Sequence, residues 1–147
     1  MRIGFILVLL LLVAGCVGKP ASPNQNMEPP AVQLTIADEQ IKTYRGTYSW
    51  SYFDVSSGQT TNVMADYAPP YEIVAIDQSA NVNLAAPISL HFTKEPTEVE
   101  INLWRNQAIV KTYSSLEEIE EKGGYIIEIV ATWKEGTATY VTALDIE

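Results

Sequence analysis

The sequence predicts an all-β protein, an antiparallel β-sandwich of about seven to nine strands with one short helix. Short segments in which apolar and polar residues alternate recur along most of the chain. Turn-forming residues separate these segments at intervals of about 8–12 residues. Residues 31–147 follow a proline-rich stretch and are numerous enough for one domain with a single core.

An apolar run near the start predicts a secretory signal peptide over residues 1–15. Arg2 gives a positive start, and the apolar run of about 10 residues is shorter than the ~20 that a transmembrane helix needs. Small residues close the segment, as is typical before a cleavage site.

The segment Val13-Ala14-Gly15-Cys16 resembles the bacterial lipobox. The resemblance implies a diacylglyceryl thioether on Cys16, cleavage after Gly15, and anchoring in the lipid bilayer of the cell membrane, facing outside the cytoplasm. Cys16 is the only cysteine, and a thioether removes a thiol that would be a liability in an oxidising compartment. The alternative is an ordinary secretory signal in which this cysteine is incidental.

A flexible tether is expected over residues 16–30. This stretch holds four prolines among small and polar residues and has no hydrophobic period. It cannot bury enough apolar surface to offset the entropy of ordering, so we expect it to hold the domain of residues 31–147 away from the bilayer.

The strands and turns of the domain follow from its local patterns. Alternation predicts strands at residues 32–36, 43–53, 60–65, 88–92, 99–103, 108–113, 125–133 and 137–146. Residues 71–76 fit either a short helix that starts at Pro70 or a buried strand. Ser115 and Glu118 match a capping box, so we expect the short helix over residues 116–122. Residues 125–133 are apolar on both faces, which favours a central strand.

Two blocks carry a resemblance to known proteins. The ending with Gly124-Tyr125, Trp133, Gly136 and Tyr140 resembles the last hairpin of bacterial immunoglobulin-like domains. Together with the segment GTYSW at residues 46–50, it is similar to small lipoproteins of Gram-positive bacteria. The resemblance implies an immunoglobulin-like β-sandwich and carries no catalytic or binding residues to transfer.

Composition excludes several classes of function. One cysteine and one histidine exclude a disulfide framework, a cysteine-based zinc site and a poly-histidine metal site. Eighteen acidic against nine basic residues give a net charge of −9, which argues against a nucleic-acid partner. No phosphate-binding glycine loop or nucleophile elbow is present, and we expect no cofactor.

Aromatic residues are the leading candidates for binding. A row at residues 44–52 is either one face of the core or an exposed platform, and we favour the core, with Trp50 and Tyr48 as candidate contacts if it is exposed. Trp104 interrupts the apolar alternation of its strand, so we expect it to point outward beside Arg105 and contact a ligand.

Acidic and polar residues give weaker candidates. The loop with Asp54, Ser56 and Ser57 is oxygen-rich and is the candidate calcium site, although such loops are usually plain turns. Glu98 and Glu100 share a strand face about 7 Å apart, a spacing that glycoside hydrolysis can use. The single histidine and the acidic stretch of residues 117–121 are interpreted as solvated surface, with docking of a basic partner as the sharper interpretation of the latter.

The sequence therefore predicts a lipid-anchored binding or interaction module at the cell surface rather than an enzyme. A cell-wall glycan or a surface protein is the expected ligand. The alternatives are a small carboxylate-based hydrolase and a purely structural envelope protein.

Overall fold

The computed structural model describes residues 27–147. The predicted signal peptide and Cys16, the predicted site of lipidation, lie outside the described residues. The described chain forms ten strands, one short helix and two 3-10 turns. In order, the strands are β1 Val32–Ile36, β2 Glu39–Ile41, β3 Tyr44–Asp54, β4 Gln59–Ala65, β5 Ala80–Val82, β6 Ile88–Phe92, β7 Glu98–Arg105, β8 Ala108–Tyr113, β9 Gly123–Trp133 and β10 Gly136–Ile146.

The strands form the two layers of a β-sandwich. The smaller sheet has the order β2-β1-β6, and the larger has the order β4-β3-β10-β9-β7-β8. All pairs are antiparallel except that of β5, which runs parallel to the end of β10. The predicted all-β sandwich is confirmed, with ten strands in place of the expected seven to nine. The last hairpin, which carried the immunoglobulin-like resemblance, lies at the centre of the larger sheet.

The main core lies between the two sheets. Leu34 and Phe92 of the smaller sheet are buried against Ile127, Ile129 and Leu144 of the larger one. Alternate residues of β9 and β10 point into this layer, because successive side chains of a strand face opposite sides. The alternation of apolar and polar residues therefore correctly predicted the strands that build the core.

A second, smaller cluster covers part of the outer face of the larger sheet. Ile126, Val141 and Ala143 are buried there against Val74. The helix α1, Pro70–Ile73, lies over this face and begins at the predicted Pro70. The segment at residues 71–76 thus takes the helical alternative, and β9 is buried on both faces as expected.

The aromatic row of β3 does not stay on one face. Tyr140 of β10 pairs with Arg45, whereas Ala138 pairs with Tyr48, so β3 contains one extra residue in this interval. Such a bulge reverses the faces of the residues before it. Trp50 consequently lies in the main core, whereas Tyr44 packs against the second cluster.

The helix predicted over residues 116–122 is wrong. Leu116–Glu118 form a single 3-10 turn, and the side chain of Ser115 makes no cap. Instead, Ser114 Oγ donates to Glu118 Oε1 over 2.7 Å. The next strand begins at Gly123, whose φ of 101° suits glycine, and the pairing of β9 leaves too few residues for a helix.

The last residues of the expected tether contact the domain. Arg45 donates from Nη1 to Glu28 Oε2 over 2.9 Å and from Nη2 to the carbonyl oxygen of Pro29 over 3.1 Å. The hydroxyl of Tyr140 donates to the carbonyl oxygen of Pro30. Residues 28–30 therefore belong to the folded unit. The sequence did not predict this, because the pattern of a proline-rich segment does not reveal long-range partners.

Candidate binding cleft

A step between two hairpins of the larger sheet creates a cleft. The pairing of β3 with β4 continues to Asp54, whereas its pairing with β10 reaches only to Trp50. The β3–β4 hairpin therefore projects beyond the turn that joins β9 to β10. Ser51 N donates to the carbonyl oxygen of Glu135 over 2.8 Å and closes the inner corner of this step. The cleft has a volume of about 690 Å³.

Aromatic residues form one wall of the cleft. Trp50, Tyr52 and Phe53 line it from β3. The indole of Trp50 is 3% exposed and meets the ring of Trp133 edge to face at 5.6 Å, so only its rim reaches the cleft. Phe53 also borders the cleft and is 63% exposed. The wall thus presents apolar carbon over a rigid aromatic base.

Charged residues form the opposite wall. Lys94 Nζ lies 2.5 Å from Glu135 Oε1, and Lys134 stands beside them. The hydrogen bond from Lys94 holds the pKa of the Glu135 carboxyl below its usual range. Trp133 Nε1 donates to the carbonyl oxygen of Lys94 over 2.9 Å and fixes this loop against the core. The wall therefore combines an ion pair with an exposed amine on a fixed backbone.

The N-terminal segment closes a third side. Glu28 and Pro30 line the cleft, and Glu28 is held by its ion pair with Arg45. A concave site with one aromatic wall and a few polar groups suits a polar ligand that has apolar faces, such as a sugar ring.

The sequence-predicted binding residues do not come together. Of the four, Trp50 alone lines the cleft, and it does so as a core residue. Tyr48 is half-buried near Arg45, whose guanidinium lies 6.0 Å from the centre of its ring. Tyr52 belonged to the predicted aromatic row. The two lysines of the cleft could not be recognised as site residues from the sequence, because both lie in turns, where charged residues are common.

Trp104 does not stand alone on the outer face of the larger sheet. It lies on the outer face as predicted, but it packs in the second cluster with its ring centre 6.2 Å from that of Tyr71. Its Nε1 donates to Glu128 Oε2 over 2.9 Å. Arg105 lies 4.2 Å from the centre of the Tyr125 ring. The helix α1, which the sequence did not place over this face, explains why Trp104 is covered.

The candidate calcium loop has a complete internal hydrogen-bond pattern. Asp54 Oδ1 accepts from the backbone N and the hydroxyl of Ser56, and its Oδ2 accepts from the hydroxyl of Ser57. These bonds, led by that from Ser56, lower the pKa of Asp54. Within residues 27–147, no group of three or more His, Cys, Asp or Glu side chains is arranged to hold a metal ion. The loop is a turn stabilised by its own aspartate.

The remaining acidic candidates lie elsewhere. Glu98 and Glu100 are exposed on β7, away from the cleft. His91 is exposed, with Nδ1 3.8 Å from Glu95 Oε1. Glu121 Oε1 accepts from Lys111 Nζ over 2.8 Å. These contacts are surface pairs on separate elements.

Comparisons with known proteins give no relative. No protein-family model matches the chain, and neither a curated protein nor a solved structure shows significant similarity. Among residues 27–147, no helix has the length and apolar character needed to cross a membrane.

Proposed function

We propose that this protein is a lipid-anchored, extracytoplasmic binding module that binds a cell-wall glycan in the cleft between the β3–β4 hairpin and the β9–β10 turn. The observation that carries the proposal is the cleft itself, with Phe53 and Tyr52 on one wall and Lys94 and Lys134 on the other. Sugar rings stack their apolar faces on aromatic side chains, while their hydroxyl and amide groups need polar partners. Cell-wall peptides also carry carboxylates, which suit the exposed amine of Lys134.

The carboxylates of the cleft support binding rather than hydrolysis. Glu135 pairs with Lys94, and Glu28 pairs with Arg45. Glycoside hydrolysis needs one carboxylic acid that stays protonated, and Lys94 favours the ionised form of Glu135 instead. This arrangement suits a site that orients a ligand without breaking it.

Attachment through Cys16 is the second part of the proposal. Two or three acyl chains hold a protein firmly to a bilayer, whereas one gives marginal binding. We expect the Cys16→Ser variant to lose lipid labelling and membrane retention. Normal labelling and retention of this variant would overturn the anchor.

The test of binding uses the full chain in detergent micelles and a purified disaccharide-peptide fragment of peptidoglycan. Calorimetric titration should give saturable binding that Phe53→Ala weakens about tenfold, the loss of roughly 1.4 kcal/mol. Met64→Ala is the matched control, because Met64 is 75% exposed and does not line the cleft. If Phe53→Ala leaves the affinity unchanged, or if Met64→Ala weakens binding equally, the proposed cleft is contradicted.

The lysine wall is tested separately. Lys134→Gln should weaken the same fragment, whereas Lys122→Gln, outside the cleft, should not. A fragment without its peptide should depend less on Lys134. If neither fragment binds at millimolar concentration, the proposal of a glycan ligand is overturned. The remaining alternatives are then a surface protein as the ligand and a purely structural role.

A further inference from the structure

Strand β6 forms an edge of the smaller sheet and presents backbone groups to one open side. It pairs with β1 alone among the described strands. Thr93 N donates to Ala31 O and Ala37 N donates to Pro87 O. In the β1–β6 register, these bonds show which residue pairs are hydrogen-bonded. Hydrogen-bonded and non-hydrogen-bonded pairs alternate along antiparallel strands. The N–H and C=O groups at residues 88, 90 and 92 therefore point away from β1.

The same three residues line an apolar groove. Ile88, Leu90 and Phe92 form its β6 side, and Val99, Ile101 and Leu116 form the side of the larger sheet. The groove has a volume of about 330 Å³. Ile88 and Leu90 are only half-buried, although their side chains face the interior layer. The free backbone edge and the apolar groove thus lie side by side, as a strand-accepting site requires.

The groove has an acidic rim. Glu95, Glu98 and Glu117 line it, and the lining residues include no lysine or arginine. The three carboxylates come from three different connections or strands of the fold. An edge strand is often protected by a lysine that repels incoming strands, but here the charges would attract a basic one.

We propose that β6 accepts an extended basic segment of a partner protein as a fourth strand of the smaller sheet. Alternate apolar side chains of that segment enter the groove. Its lysines or arginines point to the opposite face, and the negative charge of the three glutamates around the groove attracts them without direct contact. In an antiparallel addition, the residues directly opposite positions 88, 90 and 92 share their inward face and exchange backbone hydrogen bonds with them.

The probe is a terminally blocked octapeptide of alternating lysine and valine, labelled with a fluorophore and titrated into the full chain in detergent micelles. We expect saturable binding, with slowed amide exchange at Ile88, Leu90 and Phe92. An alternating glutamate and valine peptide should bind at least about tenfold more weakly. Equal binding of the acidic peptide, no binding of the basic one, or protection confined to another edge overturns the proposal.

The backbone contribution is isolated by comparing Leu90→Pro with Leu90→Ala. Both remove the leucine side chain, but only proline removes the N–H, and that N–H faces away from β1. Leu90→Pro should bind the basic peptide about tenfold more weakly than Leu90→Ala, the effect of one hydrogen bond. Equal affinity of the two variants contradicts strand addition.

Two further measurements need no change in the β6 backbone. N-methylation of the valine amides of the peptide should abolish binding, whereas N-methylation of its lysine amides should not, because the latter face solvent. Glu98→Gln combined with Glu117→Gln should weaken binding, with Glu72→Gln as a distant control. Dimerisation of the peptide-free protein through β6 would replace the basic partner by a second copy and overturn the proposal.

Discussion

The hydroxyl of Tyr140 donates a hydrogen bond to the carbonyl oxygen of Pro30, 110 residues earlier in the chain. Tyr140 lies in a central strand of the larger sheet and is 2% exposed. Its burial raises the pKa of the phenol to about 12. The bond ties the entry of the chain into the domain directly to the core, on the side where Glu28 and Pro30 border the cleft.

Removing this hydroxyl tests the connection. Tyr140→Phe keeps the ring, whose centre lies 5.9 Å from that of Phe92, but leaves the carbonyl of Pro30 without its donor. We expect the free energy of unfolding in urea to fall by about 1 kcal/mol. Proteolysis near residue 30 should accelerate. Tyr67→Phe, at an exposed ring, is the control and should change neither quantity.

A polar network crosses three strands on the outer face. Glu128 Oε2 accepts from Trp104 Nε1 over 2.9 Å and from Asn102 Nδ2 over 3.3 Å, and Asn102 Oδ1 accepts from Thr112 Oγ1 over 2.7 Å. Glu128→Ala leaves two donors without an acceptor, one of them on an asparagine that is 5% exposed. We expect a loss of about 1–3 kcal/mol by urea unfolding and a shift in Trp104 fluorescence. Glu128→Gln keeps an acceptor and should lose less; an equal loss contradicts the network.

Gly136 makes the tightest backbone approach among the described glycines. A Cβ there would lie 2.0 Å from the carbonyl oxygen of Ser49, and its φ is 155°. Gly136→Ala should therefore destabilise the fold by about 3 kcal/mol or more. Gly58 also has a positive φ, but a Cβ added there would meet no atom within 4 Å, so Gly58→Ala should cost only about 1–2 kcal/mol. Equal thermal midpoints for the two variants would contradict the close approach.

Acid should weaken the fold through Glu121. Hydrogen bonds from Lys111 and then from the hydroxyl of Tyr113 lower the pKa of its carboxyl from 4.5 to about 2. A group with a lowered folded pKa stabilises the fold above its unfolded pKa and loses this contribution as pH falls. Stability should therefore decline between pH 4.5 and 2. Glu121→Gln should flatten this decline in urea titrations, and Glu120→Gln, at an exposed neighbour, should leave it unchanged.

The strands were predictable because burial of one face makes apolar and polar residues alternate in the sequence. Strands β9 and β10 show this alternation over eleven residues each, and both were placed correctly. The bulge in β3 was not predicted, although Gly46 was its signal, since a Cβ there would lie 2.4 Å from Thr139 Oγ1. The false helix at residues 116–122 arose because a capping box is a local pattern, whereas sheet pairing at Gly123 is a long-range constraint.

The cleft was much less predictable than the fold. It depends on where β10 stops pairing with β3, a register that no local pattern encodes. Its lysines lie in turns, where charged residues are ordinary. Trp104 looked like a contact residue because the sequence pattern could not show that Tyr71 and Glu128 would meet it.

The central position of the last hairpin makes the larger sheet depend on pairings between segments that are distant in the chain. Strands β3, β5 and β7 all pair with β9 or β10, so none of them has its full set of sheet partners until residues 123–146 are available. Such distant pairings slow folding, because the intervening chain must be closed first. For the exported protein that we propose, the larger sheet could close only after residues 123–146 had passed through the translocation channel.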